Sequence, residues 1–89
     1  MLRITKTQES PNEVRLVLEG KVAEQWAALL DGVCREHLRR HKTVQLDLEH
    51  VDFVDAGGID VLNNFPRQQV TLLHAPNFIT QLLQGGDTP

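Results

Sequence analysis

Tyrosine is absent from this 89-residue chain, and its aromatic residues are one tryptophan and three phenylalanines. So few ring faces do not make a platform on which bases stack. Positive charge is scarce as well: nine Lys and Arg stand against twelve Asp and Glu, a net charge of -3 at pH 7. A surface that tracks phosphates needs a basic excess, so no nucleic acid partner is expected. The single cysteine, Cys34, rules out an internal disulfide. Among apolar helix positions its thiol acts as a small hydrophobe, which suits a reducing compartment. Ser10 is the only serine and sits in a turn. Neither residue has a histidine or carboxylate tied to it by a motif, so no catalytic nucleophile is expected and the chain does not read as an enzyme. No apolar run approaches the ~20 residues that span a bilayer. The opening MLRITKTQES holds no apolar signal core. Direct membrane insertion is not expected, and the cytoplasm is the expected compartment. With no glycine-rich loop ending in lysine to cradle phosphates, no cofactor is expected either.

What is present is ordinary globular material, 40% hydrophobic and 24% charged. It suffices for one small core and is too little for two. One domain over residues 1–84 is expected, with residues 85–89 as a frayed tail. Residues 2–7, LRITKT, alternate apolar and polar side chains as a half-buried strand does. QESPNE is a turn. EVRLVLEG, with Val14, Leu16 and Leu18 on one side, is a second strand that pairs with the first as a hairpin and ends at Gly20. Over residues 23–41 the period lengthens. Val22, Trp26, Leu29, Leu30, Val33 and Leu38 form one apolar stripe along a helix, with Trp26 in the core. Gly32 weakens that helix by roughly 1 kcal/mol relative to alanine. TVQLDLEH returns to period 2, with Val44, Leu46 and Leu48 on one face and polar residues on the other. Ile59, Leu62 and Phe65 mark a short helix ended by Pro66. QVTLLH is a fourth strand. Asn77 then caps a last helix whose Phe78, Ile79, Leu82 and Leu83 face inward, with Gly85 as its stop. The expected fold class is α/β in the order β-β-α-β-α-β-α. Its mixed four-stranded sheet has one antiparallel hairpin with parallel strands beside it and helices mainly on one face.

The stretch FVDAGGIDVL is the candidate site. Asp55 follows a strand and precedes an apolar-periodic helix, so its carboxylate is placed to cap the amides of Gly57 and Gly58. The two glycines admit close backbone approach and expose main-chain donors, which favours docking.

TVQLDLEHVDFVDAGGIDVL, within this order of elements, resembles the core of a STAS domain, the fold of bacterial anti-sigma-factor antagonists. The resemblance extends from LRIT through LVLEGKV to VTLLHAPNFITQLL. In such antagonists the equivalent turn usually reads Asp-Ser-Ser-Gly or Asp-Ser-Thr-Gly, and a partner kinase phosphorylates a hydroxyl there. Asp55 and Gly58 keep the frame, while Ala56 and Gly57 stand at the hydroxyl positions, so no phosphorylation site is expected. The resemblance implies a non-enzymatic protein-binding module whose partner is a kinase-like anti-sigma factor or a related signalling protein. The implied contact surface is Gly20, Lys21, Asp55, Ala56, Gly57, Gly58 and Asp60. Glycine-rich versions of the turn also resemble STAS subunits that brace the ATPase of ABC transporters moving phospholipids.

Other polar clusters carry less. Asp47, Asp52, Asp55 and Asp60 surround the turn, but the acidic pair and lysine of a receiver domain are missing, so capping and solvated roles are expected. His37 and His41 are one helical turn apart without a third ligand, and no metal site is expected. Arg35, Arg39, Arg40 and Lys42 complement the negative end of the helix dipole.

Overall fold

Strands β1 (Leu2–Glu9) and β2 (Glu13–Val22) form the antiparallel hairpin, with Ile4 opposite Leu18. In this computed structural model, which describes residues 1–83, Ser10 closes the connection. Its hydroxyl accepts the amide of Glu13 at 3.1 Å, and its own amide donates to the Glu13 carbonyl at 2.8 Å. Helix α1 (Gln25–Arg39) leads to β3 (Thr43–Val54), helix α2 (Ala56–Asn64) to β4 (Val70–Leu73), and α3 (Asn77–Leu82) follows. The four strands lie in the order β1-β2-β3-β4, with β2, β3 and β4 mutually parallel. This is the expected mixed sheet.

Alternation sorts the two faces. Val14, Leu16, Leu18, Val44, Leu46 and Leu48 are buried together with Leu30, Cys34, Leu62 and Ile79 from the helices and Phe65 just after α2. Each such large side chain removed from water contributes about 1.5–3 kcal/mol. The opposite face is polar and uncovered. There the guanidinium of Arg15 donates to the Gln45 side chain at 3.1 Å, and the Gln45 amide donates to Glu13 at 3.0 Å.

Three details depart from the sequence reading. Strand β2 does not stop at Gly20 but continues through Lys21 to Val22, so Gly20 and Lys21 belong to a strand and not to a loop. Gly20 has φ +107, and a Cβ there would lie 2.3 Å from the Met1 carbonyl oxygen. Glycine therefore lets the strand shift register against β3 and carry on. In α1 the buried residues are Ala27, Leu30 and Cys34, while Leu29 is 46% exposed and Trp26, Val33 and Leu38 pack only partly against the core. The apolar arc of this helix is wider than the face the sheet covers, and its flank is left in solvent. In α3 Pro76 is the N-cap, the Asn77 side chain does not cap, and Phe78 and Leu82 are exposed. A six-residue helix meets the core along one narrow line, taken by Ile79, so the i, i+4 pair beside it stays outside. Gly85 and the tail 85–89 lie outside the described residues. Burial pushes the Cys34 thiol up to about 12, with the Asp31 carboxylate adding to it, so the group is inert as a nucleophile at neutral pH. No helix of the described residues is long and apolar enough to cross a membrane.

The end of β1 is clipped to the start of β3 by charge. Glu9 accepts from Lys42, whose side chain is only 15% exposed, and pairs with Lys6 at 2.8 Å. Hydrogen bonds from Lys42 and then Lys6 hold the Glu9 carboxyl at about 2, against an ordinary 4.5. A carboxyl depressed by folding stabilises above its unfolded value and loses that contribution as pH falls towards its folded one. The protein is therefore expected to lose thermal stability as pH falls from 4.5 towards 2. Lys42→Met should flatten that part of a Tm-against-pH curve; an unchanged curve would show that the clip contributes nothing.

Candidate protein-docking site

The candidate turn joins the end of β3 to α2. Val54 is buried, Asp55 is extended at φ -89 and ψ -178, and the helix starts at Ala56. One oxygen of Asp55 accepts the Gly58 amide at 2.8 Å, which is the Gly58 part of the cap expected over Gly57 and Gly58. The other accepts the amide of Glu24 at 3.0 Å. Glu24 is the N-cap of α1 and sits at φ +54, a left-handed conformation rare for a side chain of its kind. A single carboxylate thus ties the N-termini of both helices together. Hydrogen bonds from the amides of Gly58 and Glu24, in that order, hold the Asp55 carboxyl below its ordinary value, with a weaker pull from Gly57.

The two glycines of the turn divide the work. Gly58 is buried, and a Cβ there would fall 2.2 Å from the Val22 carbonyl oxygen and 2.7 Å from a Val54 methyl. Only a bare α-carbon lets α2 close on β2 at that point. Gly57 is exposed, and its Cβ position meets only the Asp55 carboxylate at 3.5 Å. Ala56 and Asp60 are exposed as well, so the first turn of α2 presents Ala56, Gly57 and Asp60 to solvent, with Gly58 behind them.

Residues 5–86 match a family model described as "Mlab, STAS domain". The chain belongs to the STAS-domain family. No curated protein matches it. Among solved structures, the STAS domain is similar to the anti-sigma factor antagonist SpoIIAA in its unphosphorylated form. The two share 14% sequence identity with a TM-score of 0.75, over 98% of this chain and 90% of that one. At that identity the likeness is one of fold. It fits the four-stranded mixed sheet and three helices described above.

Lys21 and Gly20 lie on β2 beside the end of β3, with Lys21 in register with Phe53. Sequence reasoning missed Phe53, which is 46% exposed two residues before Asp55. The Lys21 ammonium stands 5.8 Å from the centre of its ring and 3.4 Å from Asp52. No local pattern signalled it, because the alternation that buries Val44, Leu46 and Leu48 breaks after Leu48, where Val51 and Val54 turn inward and Asp52 and Phe53 outward. The four aspartates do not converge. Asp55 caps, Asp52 pairs with Lys21, Asp60 is exposed, and Asp47 accepts the Glu49 amide at 3.1 Å beside the His74 imidazole at 3.2 Å. Asp47, Glu49 and His74 place three donor atoms within 4.8 Å of one another, but the Asp47 carboxylate is already engaged by both neighbours. His41 lies beyond the end of α1 at φ +64, so it shares no helical face with His37. A groove of about 510 Å³ is walled by Leu62, Phe65, Val70 and Leu83. It lies at the far end of α2 from the turn.

Proposed function

We propose that this STAS domain is a non-enzymatic regulatory module that works by docking on a protein partner through the first turn of α2. Ala56, Gly57 and Asp60 form the contact, Gly20, Lys21 and Asp52 border it, and Asp55 and Gly58 hold its shape. The observation that carries this reading is the contrast between the two glycines: the turn is rigidly anchored from behind and bare in front. Bare main chain at a helix N-terminus accepts close approach by another surface. Neither alanine nor glycine has a hydroxyl, so the phosphoryl switch associated with this turn in anti-sigma-factor antagonists has no acceptor at Ala56 or Gly57. Binding is then constitutive or controlled elsewhere. The partner expected from the family resemblance is a kinase-like anti-sigma factor or a related signalling protein in the cytoplasm.

The glycine-rich turn favours a second reading. On it, the chain is an accessory subunit bracing the ATPase of a phospholipid-type ABC transporter, where a permanent contact needs no phosphoacceptor.

Gly57→Asp tests both readings. The new Cβ meets only the Asp55 carboxylate, in ordinary contact at 3.5 Å, and the favourable field of the helix N-terminus offsets the like charge, so the fold is expected to survive. Charge and bulk at the centre of the contact should weaken partner binding by roughly 100-fold, as a buried mismatched charge does. Tagged wild type and variant would be used to capture proteins from the host, followed by mass spectrometry. A soluble kinase-like protein lost with the variant supports the signalling reading, and a transporter ATPase lost with it supports the second. Identical captures would remove the turn from the interface.

A further inference from the structure

Gly32 stands in the middle of α1, exposed, and a Cβ built there would meet nothing within 4 Å. A glycine inside a helix costs roughly 1 kcal/mol against alanine, yet no neighbour among the described residues uses the space it leaves. Beside it lie Ala28, the exposed Leu29 and the half-buried Val33, which with Gly32 line the apolar part of a shallow depression of about 480 Å³ along the helix that Glu36 and His37 close at its C-terminal end. How closely two helices approach depends on the side chains at their contact. Bare backbone at the centre of an apolar helix face is what a close approach requires.

Charge decides what covers that face. Residues 24–31 carry Glu24 and Asp31 and no Lys or Arg, whereas residues 33–42 carry Arg35, Arg39, Arg40 and Lys42 against Glu36 alone; Asp31 is already paired with Arg35 at 3.2 Å and Lys42 with Glu9, which leaves Glu24 at one end and Arg39 with Arg40 at the other. Arg39 and Arg40 share the Glu36 carboxylate, so the C-terminal end keeps a positive excess. A second α1 laid antiparallel across the first brings the acidic end of each copy to the basic end of the other and opposes the two dipoles. A parallel copy would set like ends together.

We infer that the outer face of α1 is a self-association surface on which two copies of this chain pack α1 against α1, antiparallel about Gly32. Leu29 of each copy lies against the Val33 stretch of the other, and Glu24 lies towards Arg39 and Arg40. Such a contact is isologous and closes at two copies. One helix pair is small beside the interfaces of permanent dimers, so the dimer is weak and forms at high protein concentration.

Sedimentation equilibrium of the purified full chain, from micromolar to millimolar concentration and at two ionic strengths, tests this inference. The average mass is expected to rise with concentration from the 10.1 kDa monomer towards twice that value, and less steeply in high salt. Gly32→Gln should melt above wild type, because it restores helix propensity at an open position. It should also lower the association constant by at least about tenfold, because its side chain props the helices apart. Leu29→Asp should weaken association likewise. A monomer mass throughout would overturn the inference, and so would association unchanged in Gly32→Gln.

Discussion

Gly58→Ala is expected to remove most of the stability of this domain. The new methyl would sit 2.2 Å from the Val22 carbonyl oxygen and 2.7 Å from a Val54 methyl, and the oxygen is backbone at the end of β2, where Val22 pairs with Val54 of β3 and accepts the Asp55 amide at 3.3 Å. It has no rotamer to change, so α2 must back away from β2. Moving α2 loosens the Asp55 cap at the same time. Overpacking of this kind costs about 3 kcal/mol, against a total of roughly 5 kcal/mol at the low end of small domains. Gly57→Ala, one residue earlier, is the control. Its methyl meets only the Asp55 carboxylate, in ordinary contact at 3.5 Å, and it should leave stability unchanged or raise it by up to about 1 kcal/mol through helix propensity. Urea denaturation of the two variants measures the contrast. Equal midpoints would mean that the close approach at Gly58 is not what holds the turn.

Asp55→Ala is expected to have the second-largest effect on folding, because two helix ends lose the same partner. The Gly58 amide loses its cap, and the Glu24 amide loses the acceptor that holds that residue at φ +54. A left-handed glutamate persists only where its surroundings impose it, so the chain between β2 and α1 should relax when the carboxylate is gone. Thermal unfolding should show a Tm several degrees below wild type. Asp55→Asn, which keeps one carbonyl acceptor, should fall between the two. The pH dependence gives a second reading of the same bonds. Amide donors from Gly58 first and Glu24 second depress the Asp55 carboxyl below 3.8, so its contribution is complete above that pH and is lost as pH falls further. The Ala variant lacks this slope. If wild type and variant lost Tm in parallel below pH 3.8, Asp55 would not be the titrating group.

The parts of this structure legible in the sequence are those written in short periods. Alternation over Val14, Leu16 and Leu18 and over Val44, Leu46 and Leu48 identified the covered face of the sheet, and the element order followed from the change of period between them. Asp-x-x-Gly announced the cap on Gly58 because capping is local. What stayed hidden depends on residues distant in sequence. Nothing near Glu24 indicates that its amide will meet a carboxylate 31 positions later, and nothing near Gly20 indicates that the Met1 carbonyl will press on it. The apolar stripe of α1 was drawn to include Leu29, because periodicity counts apolar residues and not the area available to bury them. The same limit misplaced Phe78 and Leu82, whose helix is too short to turn both towards the core.

The polar row of Glu13, Gln45 and Arg15 keeps one broad side of the sheet in water, so the domain is two layers deep, a plate of about 33 by 32 by 20 Å. The Asp55 turn is at the rim of that plate, where strand ends meet helix starts. A plate gripped by its rim leaves its wet face uncommitted. A domain docked by that rim as proposed would add little more than its own thickness of about 20 Å to any gap it fills.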